Sequence, residues 1–587
     1  MRPDDNLRYE ASDPIERPLA LGLGLQLAAL TLNSAVLLPT IVFRAADAER
    51  FLVWAVFAGM VACGVITIVQ AVRLRRFGAG YLMLHGASSP FIAVCVAALL
   101  QGGPAMLATL VLVSGLAQAV FSERLALLHR ILTPVVTGTV IMLLPVTVMP
   151  ILLRMLDEVP SGAPAVAGPL CALATLATAV GIYLKGTGGL RRWAPVAGIG
   201  AGAVTGAFFG IYETGLVANA AWIGVPQGGP PGLDLGFGPS FWALLPAFLF
   251  IALVGATKSV GVAVATQRVS WRGRRAVDFR SVQGALAAEG VGNALAGLTG
   301  AIPNTLHPTP IAAIETTGVA ARRVGVAAGI ALIALACLPK LVSVILAVPD
   351  AVAAASIAVV MCMLFVVGMR EVVAGTRTNP RSGLIAGISV WTGIAVEFDL
   401  VFADQLAGMA GGLLSNGMTA GGLMAILLAA VTMPRVARFS GSLDVAELPG
   451  IRDFIVRFAR RHGMETSAER MEAACEETLL MLLQSRDAGS MEVDEPGLKE
   501  RALLITASRE EGHAVLRFKA AAPGQEELNL QDRLAWLGEE AESGPEEQEI
   551  SLRLLRHLAS SVRHQQFRNV DIVTLKVAAE QRAGGKR

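Results

Sequence analysis

The stretch AIPNTLHPTPIAAIETTGVAARR, Ala301–Arg323, lies deep in an apolar region yet opens with Pro303, Pro308 and Pro310. Proline has no N–H and its ring collides with the preceding turn, so three of them this close exclude a regular helix interior. Asn304, Thr305, His307 and Thr309 are interleaved with them. Inside a bilayer, irregular polar backbone is tolerated only where it is packed in protein or lines a cavity. A broken helix that turns its polar end to a midplane site combines these features. A polar connecting loop would use the same residues. Ile311–Ala321 is long enough only for a half helix, which favours the site.

Composition places that stretch in a membrane. Of 587 residues, 54% are hydrophobic and only 16% charged, with a mean hydropathy of +0.59. Soluble domains carry about 25% charge, so the expectation is a polytopic membrane protein. The net charge of +2 gives no reason to expect a nucleic-acid partner. Cys63, Cys95, Cys171, Cys337, Cys362 and Cys475 are scattered without a CxxC, and read as small core residues rather than metal ligands or disulfides. Met1–Pro18 is polar and mixes both charge signs, so a cytoplasmic tail over residues 1–18 is expected and no cleavable signal.

Fourteen apolar runs follow, at roughly 19–43, 51–71, 78–100, 103–121, 131–153, 166–184, 193–213, 239–266, 282–300, 305–321, 324–346, 350–369, 383–403 and 416–434. The third and tenth are interrupted. Seven plus seven, with the odd run at the same place in each half, is the pattern of an inverted repeat. With a cytoplasmic N-terminus, the inner loops and span ends collect the clusters around Arg73–Arg76, Arg268–Arg280, Arg322–Arg323 and Arg370–Arg381. The outer ones hold only Arg44, Arg50, Arg154 and Lys340. That asymmetry puts both termini in the cytoplasm. The loop Thr214–Pro239, rich in Gly and Pro, reads as an ordered surface crossing or a short amphipathic segment.

Several polar side chains at membrane depth are candidate substrate contacts. Lys258 lies ten residues before Arg268, about 15 Å along a helix, which is far for snorkelling to the cytoplasmic end. A buried lysine wants a cavity or a counter-charge, and Glu315 is the expected partner. Glu315 would otherwise cap its helix or pair with Arg322. In Gly80–Ala93, Pro90 and the small residues before it predict an extended piece and then a half helix. Ser88, Ser89 and His85 are candidates there, the serines alternatively as helix caps and the histidine as a partner of a nearby carbonyl. Around the tenth-run break, Asn304, His307 and Thr309 are candidates. The two half helices, beginning near Ser88 and Thr309, are expected to point their first amides at the site.

After Pro434 the chain becomes charged. A helix at Ala468–Gln484, strands at Leu503–Ser508 and Ala514–Ala520, acidic sequence at Glu539–Glu549, a basic helix at Ile550–His564 and a strand at Asp571–Val577 predict a small α/β sandwich over 440–587.

The tract RRAVDFRSVQGALAAEGVGNALAGLTGAIPNT, Arg274–Thr305, resembles the xanthine/uracil permease family, also called the nucleobase–cation symporter-2 or nucleobase–ascorbate transporter family. So do TTGVAARRVGVAAG at Thr316–Gly329, LPKL at Leu338–Leu341 and PVVTGTVIMLLP at Pro134–Pro145. Leu25–Gln26 with Pro39 resembles the family's first span. The resemblance covers roughly residues 19–435. It implies a fourteen-span transporter in two inverted repeats of seven. A core domain would hold substrate between strands and half helices of the third and tenth spans, and a gate domain would make a homodimer contact. It also implies symport with a proton or sodium ion, no other cofactor, and an inner-membrane location. This chain differs at the site. Lys258 stands where the family carries a carboxylate, and Val262 where it carries a second acid. Of the tenth-span signature only Thr317 matches, and Gln26–Leu27 replaces a Gln-His pair.

CEETLLMLLQ at Cys475–Gln484 and the tract Ile550–Val577 resemble the histidine-kinase-type ATPase fold of anti-sigma-factor kinases. There an acid is followed four positions on by a magnesium-holding Asn, whereas here Glu477 is followed by Met481, which has no amide oxygen to offer. The resemblance implies a degenerate sensor or docking module with a cytoplasmic protein partner.

Three functions follow. The first is an ion-coupled carrier of a nucleobase-like heterocycle. The second is a carrier of an anionic organic acid on the same scaffold. The third is a membrane sensor signalling through the C-terminal module. No nucleophile–base set or metal cluster is read, so no enzyme is expected.

Overall fold

The computed structural model describes residues 7–124, 133–157, 159–160, 162–187, 191, 193–273, 275–376, 380–401, 417–432, 436–487, 502–510, 513–521, 530–531, 553–567 and 570–578. Arg274, Arg377 and the acidic stretch Glu539–Glu549 lie outside them. Among the described residues seven helices are long and apolar enough to cross a bilayer: Arg17–Arg44, Glu49–Val72, Ser89–Ser122, Pro134–Leu156, Ala167–Lys185, Pro239–Val269 and Asp350–Gly375. An eighth span forms if Arg322–Ala336 and Pro339–Leu346, bent by 81°, count together. The protein is a largely helical polytopic membrane protein with a small C-terminal β-sheet region.

Shorter apolar helices, Ala194–Phe208, Ser382–Glu397 and Gly417–Thr432, fall on the seventh, thirteenth and fourteenth expected runs. Phe279–Thr299, on the ninth, has the length of a span. It buries Gln283, Glu289 and Asn293, which dilute its apolar character.

The third and tenth runs contain strands. β1, Leu84–Ala87, is followed by a tight turn at Ser89–Phe91 and a helix from Ile92 to Ser122, broken at Gly103 with φ 74° just before Pro104. β2, Asn304–His307, is followed by the nine-residue helix Thr309–Thr317, which Gly318 closes in the left-handed conformation. Pro90 and Pro310 sit in the first turn, where a missing N–H costs nothing. The strands pair antiparallel, Leu84 with His307, His85 with Leu306, Gly86 with Thr305 and Ala87 with Asn304. Every element from β1 to Pro90 recurs 220 residues later, since 304 − 84 = 310 − 90 = 220.

Helices from the two halves of the chain meet at small residues. A β-carbon on Gly64 would stand 2.7 Å from the Gly329 carbonyl oxygen, and one on Gly329 would stand 2.6 Å from that of Gly64. Gly138 and Gly368 stand in the same relation at 2.7 Å each way. Such contacts let backbones touch where there is no hydrophobic drive between helices in lipid.

The expected N-terminal tail is, in its described part, a strap. Arg8 and Tyr9 donate from their amides to the Gly318 carbonyl (2.7 and 3.0 Å), Ala320 donates back to Tyr9, and Arg322 donates to Ala11. Arg272 bonds the Leu7 carbonyl through Nε at 2.9 Å. Leu7, Ala11 and Ile15 are buried. The strap therefore holds the turn after helix Thr309–Thr317 to the end of helix Pro239–Val269.

The C-terminal region adds β3 (Ala437–Ser442), β4 (Ala502–Glu510), β5 (His513–Ala521), β6 (Ser561–Gln566) and β7 (Val570–Ala578). They form one antiparallel sheet in the order β3-β4-β5-β7-β6. Helices Leu448–His462 and Ala468–Asp487 cover one face, with Ile451, Phe454, Ile455, Phe458, Cys475 and Leu479 packed on Ile505, Leu516, Phe518, Val573 and Leu575. The basic helix expected over Ile550–His564 is corrected: helix covers only 553–558 of the described residues, and Ser561–Gln566 is a strand on β7. Its alternating burial, with His564 and Gln566 inward, is the period of a strand rather than a helix. β3 and helix Leu448–His462 are additions that the sequence reading does not contain.

Candidate substrate site at the strand seam

The seam between β1 and β2 is held by side chains from four helices. Gln70 accepts from the Ala79 amide through Oε1 at 3.1 Å, so its NH₂ group is what faces outward. That group donates to the Ala285 carbonyl (2.9 Å) and meets His85 Nε2 at 3.0 Å. His85 Nε2 is thereby the acceptor, and its Nδ1–H donates to Asn304 Oδ1 at 2.9 Å. The His85 amide donates to Thr67 Oγ1 at 3.1 Å. His85 is fully buried and occupied in bridging the strands, rather than open to a ligand.

A second network runs beneath β2. The Asn304 amide donates to Asn293 Oδ1 at 2.7 Å, Asn293 Nδ2 donates to Gln118 Oε1 at 3.0 Å, and Gln118 Nε2 donates to Glu289 Oε1 at 2.7 Å. Glu289 Oε2 accepts from the Ser259 hydroxyl (2.6 Å) and the Leu306 amide (3.3 Å). Three donors on one fully buried carboxylate are the compensation that burying a charge requires. Lys258, one residue before Ser259, lies within electrostatic reach of both Glu289 and His307. No ion pair within 4.0 Å engages Lys258 among the described residues.

His307 stands across Gly86: a β-carbon there would lie 2.6 Å from His307 Nε2 and 2.9 Å from Ser34 Oγ. Glycine at position 86 is what lets the ring and the helix Arg17–Arg44 close on the strand. Ser88 Oγ, Asn304 Nδ2 and Thr305 Oγ1 are buried without a hydrogen-bond partner. The Ser88 amide donates to the Pro303 carbonyl at 2.9 Å and so prolongs the ladder.

Other expected site residues stand elsewhere. Glu315 is exposed on helix Thr309–Thr317 and makes no ion pair with Lys258; Glu289 takes that position. Gln26 is exposed, eight residues before Ser34, which is the residue of that helix at the seam. Ser89 and Thr309 are half-buried at the two helix starts. Of the amides expected to aim at the site, only those at the very first positions, Ser89 and Thr309, have no acceptor among the described residues, so each helix start offers one open donor rather than a fan. Pro90 and Pro310 have no N–H, Phe91 donates to the Ser88 carbonyl, Ile92 to that of Ser89 and Ile311 to that of Pro308. Neither helix start has a side-chain cap.

Glu289 has a legible signal. It is the lone charged residue in the run 282–300, and an ionisable residue inside a span is a functional candidate by default. Gln70, Gln118 and Asn293 have only their polarity within apolar runs, which does not say which helix they face.

A polytopic bundle in which two interrupted segments cross as strands, with a buried carboxylate beneath them and a lysine within its electrostatic reach, has the features of a secondary transporter. A permease-family model, Xan_ur_permease, matches residues 20–402, and the chain belongs to this xanthine/uracil permease family. It is 28% identical over 420 residues to "Nucleobase transporter PlUacP" of Paenibacillus larvae subsp. larvae, covering 70% of this chain and 93% of that protein. It is 25% identical to "Uric acid permease PucK" of Bacillus subtilis, covering 69% and 94%. It is 26% identical to "Xanthine permease XanP" of Escherichia coli (strain K12), covering 66% and 86%. At the family level the chain is a nucleobase-type secondary transporter, not an enzyme.

Proposed function

We propose that the chain is an ion-coupled carrier of an oxypurine of the xanthine or urate type, taken preferentially as its anion, with the substrate held at the β1–β2 seam. The observation that carries this reading is Lys258 beside β2, with donors and no acceptor to offer. Asn304 Nδ2, Ser88 Oγ and Thr305 Oγ1 add hydrogen-bonding groups that the protein itself leaves unpartnered. His307 closes the other side. Oxypurines present carbonyl oxygens and an acidic ring N–H, which suit such a lining better than neutral uracil. The similar uric acid permease of Bacillus subtilis and xanthine permease of Escherichia coli support the same substrate class.

Glu289 is assigned to coupling. It shares Lys258 with the incoming anion, so anion on the lysine and proton on the carboxylate favour each other, which is the linkage symport needs. Two inverted repeats of seven spans, a core and gate domain, a homodimer through the gate domain and cytoplasmic termini complete the reading. The recurrence of strand and proline-initiated turn at an offset of 220 supports the repeat. The C-terminal module is read as a degenerate ATPase-like fold without turnover, because Met481 replaces a magnesium ligand.

Uptake of radiolabelled xanthine into proteoliposomes under an imposed proton gradient tests this. Uptake should rise with the gradient, and Glu289→Gln should lose that dependence while still exchanging substrate. Uptake driven by sodium alone, or gradient-dependent uptake persisting in Glu289→Gln, contradicts the coupling assignment. Transport of organic acids but no nucleobase returns the anion-carrier reading.

A further inference from the structure

Register across the C-terminal sheet sets five residues in one row: Arg438 pairs with Thr506, Thr506 with Arg517, Arg517 with Thr574, and Thr574 with Arg563. Residues paired across strands share a face. Their neighbours Phe439, Ile505, Phe518 and Val573 point to the other face, into the core under the two helices. The row therefore crosses the whole sheet on the face that no described helix covers. Strands lie about 4.8 Å apart, so hydroxyls alternate with guanidiniums and the arginines recur at about twice that spacing. Lys519 and Lys576 lie on the same face, one row to either side. Among the described strand residues of this face the one acid is Glu510, at the end of β4, four residues from Thr506 and paired with His513. The three arginines are exposed, and no ion pair engages them among the described residues.

Both edges of this sheet are fixed to the membrane domain. β3 begins at Ala437, directly after the apolar helix ending at Thr432. At the other edge Phe567, buried between β6 and β7, packs on Phe279 with ring centroids 5.0 Å apart. Ile572, itself on the basic face, packs against the same membrane-domain cluster. Arg563 lies within electrostatic reach of Arg268 at the end of the Lys258 helix. At the docked edge the basic face therefore meets the membrane domain through Ile572 and Arg563.

We propose that this face binds anionic phospholipid headgroups of the surrounding bilayer, Arg438, Arg517 and Arg563 facing phosphates and Thr506 and Thr574 donating hydroxyls between them. The sheet is then a clamp laid on the membrane, attached where the Lys258 and Glu289 helices reach the surface. The choice of leaflet rests on the cytoplasmic placement of the module given above, because the cytoplasmic leaflet carries the negative surface potential.

The test uses full-length protein in nanodiscs of phosphatidylcholine, with and without phosphatidylglycerol, and hydrogen exchange of β5 and β7 as readout. Helix Leu448–His462, on the opposite face, is the internal reference. Each cation near an anionic surface contributes about five-fold in binding. Exchange in wild type should slow at least that much with phosphatidylglycerol. The triple variant R438Q/R517Q/R563Q should lose the slowing and the Arg→Lys triple should keep it. Equal exchange in both discs, slowing that persists in the Gln triple, or slowing reproduced by inorganic phosphate in phosphatidylcholine discs overturns the proposal. Both leaflets of a nanodisc are alike, so the result does not depend on sidedness. Labelling of Arg556→Cys in sealed cells reads sidedness separately.

Discussion

The described residues form two antiparallel sheets, and they handle polar groups in opposite ways. The two-stranded sheet at the seam lies among helices, and dedicated partners meet the His85 ring and the amides of His85, Asn304 and Leu306, leaving Asn304 Nδ2 and Thr305 Oγ1 for a ligand: His85 is met by Gln70 and Thr67, Asn304 by Asn293, Leu306 by Glu289. The five-stranded sheet instead sorts its residues by face, apolar under the helices and basic away from them. Inside a bilayer an unmet group costs several kcal/mol, so the first sheet needs a protein partner or a ligand for each group. Beside water or headgroups the second does not. Damage at the seam should therefore propagate through a network, whereas damage to the second sheet should stay local.

The largest effect is expected at Glu289. Glu289→Ala leaves Gln118, Ser259 and the Leu306 amide without their acceptor and Lys258 without its counter-charge. Removing one partner of such a buried set costs on the order of 3–5 kcal/mol. Thermal unfolding of the purified membrane protein should drop by many degrees and transport should vanish. An unchanged unfolding temperature would show that the network does not carry the seam.

Phe567→Ala should act only at the docking point. Truncating a buried phenylalanine costs about 3 kcal/mol or more, here taken from the contact with Phe279. Limited proteolysis should release the C-terminal module, with the unfolding temperature of the membrane helices nearly unchanged. A joint loss of both would erase the contrast between the two sheets.

A smaller effect should follow pH. His564, outside the spans, is buried at the same edge, accepts from the Leu530 amide through Nδ1 at 3.2 Å and faces Arg280 and Asp571. Burial first, then the Arg280 charge, lowers its pKa from the usual 6.5 to about 4. The unfolded or undocked chain binds the proton more readily than the docked one. Stability from this group is therefore complete above pH 6.5 and is lost as pH falls toward 4. The full shift bounds the loss at about 3 kcal/mol. Module release should become easier through that window in wild type, and His564→Gln should flatten the profile. A wild-type profile flat between pH 6.5 and 4 would remove His564 from the interface.

The amino-acid order alone carries much of the seam. Pro303, Pro308 and Pro310 mark the break, because proline excludes the alternative of a continuous helix. Lys258 marks the membrane-depth charge, because a lysine this far from either end of an apolar run has few other uses. The partner of Lys258 is not legible in the same way. Glu315 is near in sequence to the break, but Glu289 comes to it through the packing of Phe279–Thr299 against Ser89–Ser122, a tertiary fact. The helix starts keep fewer open amides than expected for a local reason: proline at the second position has no N–H and a tight first turn engages the next donors, leaving only the amides of Ser89 and Thr309. In the C-terminal module the strand Ser561–Gln566 is hidden by a basic, leucine-rich lead-in whose pattern continues as helix on paper.

The assignment of Lys258 to the substrate is tested most directly by isothermal calorimetry with xanthine and with uracil on wild type, Lys258→Ala and the surface control Arg76→Ala. The seam site predicts that wild type and Arg76→Ala bind xanthine more tightly than uracil, more so as pH rises and the oxypurine ionises. Lys258→Ala should lose at least ten-fold in xanthine affinity, about 1.4 kcal/mol, with little change for uracil. Equal xanthine affinity in wild type and Lys258→Ala would remove Lys258 from the site and contradict an anion-selecting seam.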